Sequence, residues 1–182
     1  MGTMTLLPQS RPFTRTDLDA MPDDGHRYEL IDGMLVVTPA PSIQHQRVVG
    51  SLYRLLFAAC PDQLEVIFAP FEVALAKDTV VQPDLLVAPR ASFTDRDLPT
   101  APLLAVEILS PSTRRYDLTL KRDRFEASGA ASYWVIDPIT LTLIAWDLAE
   151  GRYVERANLK GDESYDATSP FAVTVTPAQL GR

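Results

Sequence analysis

The stretch LLAVEILSPSTRRYDLTLKRDRFEASG, residues 103–129, joins a strand pattern to a helix pattern and carries one unexpected charge in each. LLAVEILS is nearly continuous in apolar residues, which is typical of a central strand covered on both faces, yet it contains Glu107. Residues 116–128 have helical spacing and end at Gly129, a common helix stop. Lys121 lies on the apolar stripe of that helix. The stretch therefore predicts a buried strand and a buried helix that each bring a charge into the core.

Strand and helix patterns alternate along the rest of the chain. They predict an α+β (mixed α/β) fold in which a central mixed sheet is flanked by helices. Asp32-Gly33 stands between two strand-like runs and indicates a hairpin, and extra strands are expected there and at the C-terminus. Residues 161–170 are polar and are expected to form a solvated loop. We expect a single domain over residues 1–182, with residues 1–12 as a loose tail.

The composition limits the class of protein. Hydrophobic residues make up 46% and charged residues 23% of the chain, as in ordinary globular domains. Cys60 is the only cysteine, so no intrachain disulfide can form and a cytoplasmic location is expected. No apolar run is long enough to cross a bilayer, so we expect no membrane partner. The net charge of −7 argues against strong non-specific nucleic-acid binding, but acidic metal ligands would also contribute to it.

Two strand-like segments each contain one acid. Glu107 lies in AVEIL, and Asp84 lies in VVQPDLLVA, residues 80–88, which has the pattern of one strand. Strands placed side by side would bring both carboxylates to one point, where a divalent cation with oxygen ligands, Mg²⁺ or Mn²⁺, would keep them ionised. Simpler explanations are that Asp84 marks a strand end and that Glu107 pairs with Arg114 or Arg115.

Lys121 is the cationic half of the same pattern. It shares a helical stripe with Leu118 and Phe125, so it is expected to face the sheet. A lysine beside a pair of metal-binding carboxylates can orient a water nucleophile or stabilise charge on a phosphate. The alternatives are that Lys121 extends to the surface, or that it bonds Asp117 one turn earlier.

The order Pro-Asp, then an acid in a later strand, then a lysine resembles the PD-(D/E)XK nuclease superfamily. In more detail, the chain resembles the Uma-type family of restriction endonucleases, a domain of unknown function. The resemblance covers roughly residues 28–138. The matching elements are YELIDGMLVVTPAPS, His45, QPDLLV, VEILSPST, Asp117 with Lys121, and YWVIDP.

This resemblance implies a restriction-endonuclease-like core and a Mg²⁺ (or Mn²⁺) site. Carried over by position, Asp84 and Glu107 are expected to be metal ligands, and the backbone carbonyl of Ile108 is expected to complete the metal shell. The chain departs from the textual motif two positions after Glu107, where Leu109 stands in place of a lysine. Lys121, on the following helix, is expected to take that role.

Four further residues are weaker candidates. Glu29 lies in a strand beside the predicted hairpin and could reach the metal or hold the lysine. His45 begins the apolar stripe of a predicted helix at residues 41–60; histidines in such places are more often core or helix-end residues, but the family resemblance favours a site position. Arg114 and Arg115 are candidates for contacts to substrate phosphates.

The function predicted from these residues is metal-dependent endonucleolytic hydrolysis of phosphodiester bonds, with DNA as the substrate. A homodimer is expected, since two sites would cut both strands of a duplex. One alternative is a non-catalytic binding or regulatory module on a nuclease-like fold, because fold does not fix function. Another is a metal-dependent hydrolase acting on a small phosphorylated substrate.

Overall fold

The structure is a computed structural model that describes residues 5–6 and 11–181. The strands are β1 (Thr5–Leu6), β2 (Arg27–Ile31), β3 (Met34–Thr38), β4 (Leu64–Phe68), β5 (Glu72–Ala76), β6 (Thr79–Val81), β7 (Leu85–Pro89), β8 (Asp97–Leu98), β9 (Leu104–Ile108), β10 (Ser132–Asp137), β11 (Thr142–Ala149), β12 (Arg152–Lys160), β13 (Tyr165–Ala167) and β14 (Val173–Val175). The α-helices are α1 (Arg15–Asp19), α2 (Ile43–Ala59), α3 (Arg114–Tyr116) and α4 (Arg122–Ser128).

A π-helical turn, Asp117–Lys121, connects α3 to α4 without a break. Together the three segments form one helix over residues 114–128, called here the lysine helix. It ends at Gly129, whose φ of 85° is left-handed. The amide of Ala130 then donates to the carbonyl of Phe125 at 3.0 Å, which satisfies a carbonyl of the last turn. The predicted helix and its stop are confirmed.

The central sheet has the strand order β12-β11-β10-β9-β7-β4. Strand β9 pairs with β10 in parallel and with β7 antiparallel, so the sheet is mixed. Every residue of β9 is buried, which agrees with the continuous apolar pattern of a strand covered on both faces. The predicted central mixed sheet and the α+β class are confirmed.

Helix α2 covers one face of this sheet. Its first turn is capped by the hydroxyl of Ser42, which accepts from the amide of His45 at 3.2 Å. Its buried stripe packs on alternate residues of the central strands, such as Leu104 and Val106 of β9. The hairpin β13–β14 adds Val173 and Val175 to the same core.

The other face of the central sheet is covered by a second sheet and by the lysine helix. The second sheet has the order β1-β3-β2-β6-β5-β8. Phe125 of the lysine helix joins Ala105 of β9 and Val36 of β3 in one apolar cluster. Because side chains alternate along a strand, Glu107 shares this face with Ala105. The sheet is therefore flanked by a helix on each side, with a second sheet beside the lysine helix.

Two sequence-based expectations about strands were wrong. Residues 80–88 do not form one strand; β6 belongs to the second sheet and β7 to the central sheet. The break falls at Pro83, which has no amide hydrogen to donate to a ladder. The polar segment at residues 161–170 contains β13, whose Ala167 is buried against β14. One inward-facing residue among polar ones gives too weak an alternation to predict a strand.

The hairpin predicted at Asp32-Gly33 joins β2 to β3. Asp32 and Gly33 have φ values of 52° and 71°, the left-handed pair that a type I′ turn requires. Gly33 is needed for space as well, since a Cβ there would lie 2.9 Å from the Cβ of Pro12. The hairpin fixes the position of β2, which carries two side chains of the site described below.

The N-terminal segment is only partly described. Within the predicted tail, residues 1–12, the pair Thr5–Leu6 forms the edge strand β1, which pairs with β3, and most of the other tail residues lie outside the described part of the chain. No helix in the described part is both long enough and apolar enough to span a membrane.

The packing of β9 predicts the effect of truncating its side chains. Leu104 is fully buried between α2 and the central sheet, so Leu104→Ala should lower the free energy of unfolding by about 2–5 kcal/mol. Ile139→Ala is the matched control, because Ile139 is 68% exposed and its truncation should change stability by no more than about 0.5 kcal/mol. Urea unfolding followed by fluorescence measures both, and equal effects would contradict the assigned core.

Candidate active site

The strand register brings Asp84 and Glu107 together. In the antiparallel pair β7–β9, Leu85 lies opposite Val106, so the next pair along the register is Asp84 with Glu107. The amide of Ile108 donates to Asp84 Oδ2 at 2.8 Å, which fixes the aspartate at the end of its strand. The two acids that the sequence placed in neighbouring strands therefore lie side by side in the core.

Lys121 lies between two carboxylates. Its Nζ is 2.7 Å from Glu107 Oε1 and 2.9 Å from Glu29 Oε1. Glu29 Oε1 also accepts the backbone amide of Gln82 at 2.7 Å. The Glu107 contact is an ion pair without hydrogen-bond geometry, and Oε1 has no hydrogen-bond partner. Of the roles considered for Glu29, holding the lysine is the one that the geometry provides.

The π-helical turn sets the direction of both charged residues of the lysine helix. A π turn contains one residue more than an α turn, and such turns are frequent at functional sites. Here it buries Asp117 and Lys121 together, with exposed fractions of 3% and 2%. Tyr133 of β10 donates its hydroxyl to the backbone carbonyl of Asp117 at 2.8 Å, so the turn is also anchored to the central sheet.

Asp84 has three close partners besides its neighbour Glu107. Arg27 Nη1 lies 2.9 Å from Oδ1, and His45 Nε2 lies 3.0 Å from Oδ2, which also accepts the Ile108 amide. Because an ionised carboxylate only accepts, His45 Nε2 must carry the proton. His45 Nδ1 is buried and has no hydrogen-bond partner.

The site contains more negative than positive charge. In the described part of the chain, its four buried carboxylates are accompanied by two permanent cations, Arg27 and Lys121, and by the ring of His45. The carboxylates belong to Glu29, Asp84, Glu107 and Asp117, each at most 3% exposed.

This imbalance is reflected in the pKa values. Burial raises the pKa of Glu107 well above its usual range, and the neighbouring acids raise it further against the effect of Lys121. Burial raises the pKa of Asp117 to about 6. At Asp84 burial acts in the same direction, but His45 and Arg27 hold the pKa below its usual range. The fold thus favours the protonated form of Asp117, which offsets part of the excess negative charge.

The donor atoms are of the kind that Mg²⁺ or Mn²⁺ binds. Carboxylate oxygens suit both ions, and the excess of buried acids is consistent with a cation. The residues therefore fit such an ion by their chemistry. They do not form a ready-made cage, because no group of three or more His, Cys, Asp or Glu side chains in residues 11–181 is arranged to hold a metal. Arg27 and Lys121 take up the facing oxygens.

Arg114 and Arg115 are not part of this buried cluster. Arg114 forms an ion pair with Asp137, and Arg115 is exposed near the start of the lysine helix. The proposed alternative in which either arginine pairs with Glu107 is wrong, as is the one in which Lys121 extends to the surface, because Lys121 is the partner of Glu107.

Sequence reasoning missed Arg27 as a member of the site. Arg27 stands two positions before Glu29 in RYELI, so a strand period of two places both on one face. That spacing was the available signal. The contact of Asp84 with Arg27 could not be read from it, because it also depends on the pairing of β2 with β6.

The fold is shared with a solved structure. It is similar to the crystal structure described as "a putative nuclease belonging to DUF820 from Anabaena variabilis ATCC 29413", with a TM-score of 0.71 and 18% sequence identity, over 93% of this chain and 97% of that chain. Over residues 15–178 the sequence matches the family described as "Uma2: Putative restriction endonuclease". The chain therefore belongs to the Uma2 family, and the predicted family resemblance is confirmed. No curated protein matches the sequence.

The pKa of Asp117 predicts a pH-dependent stability. Its carboxyl has a pKa of about 6 in the folded chain and about 3.9 when unfolded, so the fold favours the protonated form. This contribution is fully present below pH ~4 and is lost as the pH rises through about 6. Relative to Asp117→Asn, the wild-type free energy of unfolding should fall by up to about 3 kcal/mol between pH 4 and 8. Urea titrations across this range measure it.

Asp123→Asn is the control on the same helix, because Asp123 is exposed and its replacement should leave the pH profile unchanged. A difference between the wild type and Asp117→Asn that does not vary with pH would contradict the raised pKa of Asp117.

Proposed function

We propose that this protein is a metal-dependent endonuclease that hydrolyses phosphodiester bonds in DNA. The observation that carries the proposal is the buried Lys121 ammonium held against Glu107, immediately beside Asp84. A fixed ammonium beside paired carboxylates is suited to phosphate chemistry, where negative charge develops on oxygen. Membership of the Uma2 family and the nuclease-like fold support the same reaction class.

Mg²⁺ or Mn²⁺ would be held by Asp84 and Glu107, with the carbonyl of Ile108 as the expected third ligand. When bound, such an ion lowers the pKa of a coordinated water and neutralises charge on the phosphate. The chain itself fixes the position of the cationic side chain, because Glu29 holds Lys121 from the side opposite Glu107. It also keeps Asp84 ionised through Arg27 and His45.

Lys121 would stabilise the charge that develops on the scissile phosphate. Its pKa is raised by Glu107 and Glu29 against the effect of burial, so it is protonated throughout the working range of pH. A lysine in this state cannot act as a general base at neutral pH. The assigned role is therefore electrostatic, together with orientation of the attacking water by hydrogen bonding.

DNA would approach an acidic protein through local cations. Arg114 and Arg115 are exposed near the start of the lysine helix and are the proposed phosphate contacts. The proposal includes a homodimer that presents two sites to the duplex. It also includes a cytoplasmic location, which the single cysteine favours.

One observation favours the alternative of a non-catalytic binding module. Both oxygens of Asp84 already have partners within the chain, Arg27 at Oδ1 and His45 with the Ile108 amide at Oδ2. A site satisfied in this way could serve stability alone. Such a module would bind DNA without cutting it, so the two functions are separated by a cleavage assay.

The test is cleavage of supercoiled, linear and single-stranded DNA with and without Mg²⁺ or Mn²⁺. Glu107→Gln and Asp84→Asn should each reduce the metal-dependent rate by about 100-fold or more, because each removes a charge that acts on the reacting phosphate or its cation. Glu65→Gln, an acid on the edge strand β4 that pairs with Arg90, is the control purified in parallel and should cut at the wild-type rate.

Cleavage that survives in Glu107→Gln would indicate a contaminating nuclease and contradict the assignment. DNA binding without cleavage by the wild type would favour the binding module. Far-ultraviolet circular dichroism of each variant checks that a lost rate does not reflect a lost fold.

A further inference from the structure

The side chain of Arg27 has three partners, of which Asp84 is one. Nη1 lies 2.9 Å from Asp84 Oδ1 and donates to the carbonyl of Gln82 at 3.2 Å, while Nε donates to Thr38 Oγ1 at 3.2 Å. Its side chain is 22% exposed, whereas that of Asp84 is 3% exposed. Arg27 is therefore the more exposed partner of a buried carboxylate.

The two oxygens of Asp84 differ in how easily they could be freed. Oδ2 accepts the backbone amide of Ile108, which β9 fixes, and the ring of buried His45. Oδ1 is paired with Arg27, a long side chain whose other two partners are neutral and which has access to solvent. A cation that needs an oxygen of Asp84 would therefore displace Arg27 first.

Lys121 is much less able to give way. Its Nζ lies between two carboxylates, and its side chain is 3% exposed, so withdrawing it would leave two buried acids unpaired. Arg27 contacts one carboxylate directly, that of Asp84, and its side chain is 22% exposed. Of the two permanent cations of the site, Arg27 is the exchangeable one.

We propose that Arg27 occupies the cation position at Asp84 in the metal-free chain and competes with the divalent cation for it. This inference rests on the proposed function, because it assigns the regulation of the same metal site. Arg27 holds Asp84 in place before the ion arrives, and it sets the concentration at which the ion can bind. It is thus a positioning residue that weakens metal affinity.

The test measures Mn²⁺ affinity by electron paramagnetic resonance of the free ion, without substrate. Arg27→Gln should bind Mn²⁺ about tenfold more tightly than the wild type, a gain of about 1.4 kcal/mol, because the ion no longer has to displace a competing cation. Arg124→Gln is the matched control: it removes the same charge from the partly exposed pair that Arg124 forms with Asp32, and its affinity should equal that of the wild type.

The outcomes separate this inference from the proposed function. Mn²⁺ binding by the wild type with equal or weaker binding by Arg27→Gln would overturn the competition and leave the metal site intact. Absence of Mn²⁺ binding by both proteins would overturn the competition and the metal dependence together. If Arg124→Gln gained as much Mn²⁺ affinity as Arg27→Gln, the gain would come from the change in net charge. That result would overturn the specific role of Arg27.

A second measurement needs no variant and stands if Arg27→Gln fails to fold. In the ¹⁵N-labelled wild-type protein, the Nε–Hε signal of Arg27 reports its bond to Thr38. Saturating Mg²⁺ should shift this signal and speed its exchange with water, while the signal of Arg124 stays unchanged. An Arg27 signal that does not respond to saturating Mg²⁺ would overturn the proposal.

Discussion

The ion pair of Lys121 with Glu107 and Glu29 is the contact on which the rest of this structure depends. It joins the lysine helix to β9 of the central sheet and to β2 of the second sheet. Removing one partner of a buried pair typically costs about 3–5 kcal/mol, because a charge is left without compensation. The same contact that holds these three elements together also fixes an ammonium against Glu107, so stability and the proposed chemistry depend on the same atoms.

The second constraint is the excess of buried acid. Four carboxylates in a core are unfavourable unless charge or protons neutralise them, and burial raises the pKa of Asp117 to about 6, which favours its protonated form. Folded proteins tolerate such departures from good packing mainly at functional sites. A divalent ion bound among these acids would neutralise them and present positive charge to a phosphate, which links the cost of the arrangement to its proposed use.

The features predicted from sequence were those encoded within one segment. The continuous apolar run predicted that β9 is a buried strand and therefore that Glu107 is buried. The helical stripe predicted that Lys121 faces the sheet and is buried as well. The meeting of Asp84 and Glu107 was also predicted, but other features that arise between segments were not. Arg27 contacts Asp84 because β2 pairs with β6, and no single segment encodes that pairing. Residues 80–88 divide between two sheets because a second sheet lies beside the lysine helix, which their own pattern does not reveal. The π turn at Asp117–Lys121 has no sequence signal of its own, because it differs from an α turn by one residue of spacing.

The most direct test of the proposed site is anomalous diffraction from crystals soaked in Mn²⁺. Because the site contains more negative than positive charge, we predict a manganese peak bound directly to the carboxylate of Glu107, with Arg27 withdrawn from Asp84. Crystals at saturating Mn²⁺ with no peak beside Glu107, and with Lys121 and Arg27 still on their carboxylates, would contradict it. The four acids would then be a structural network neutralised by protons.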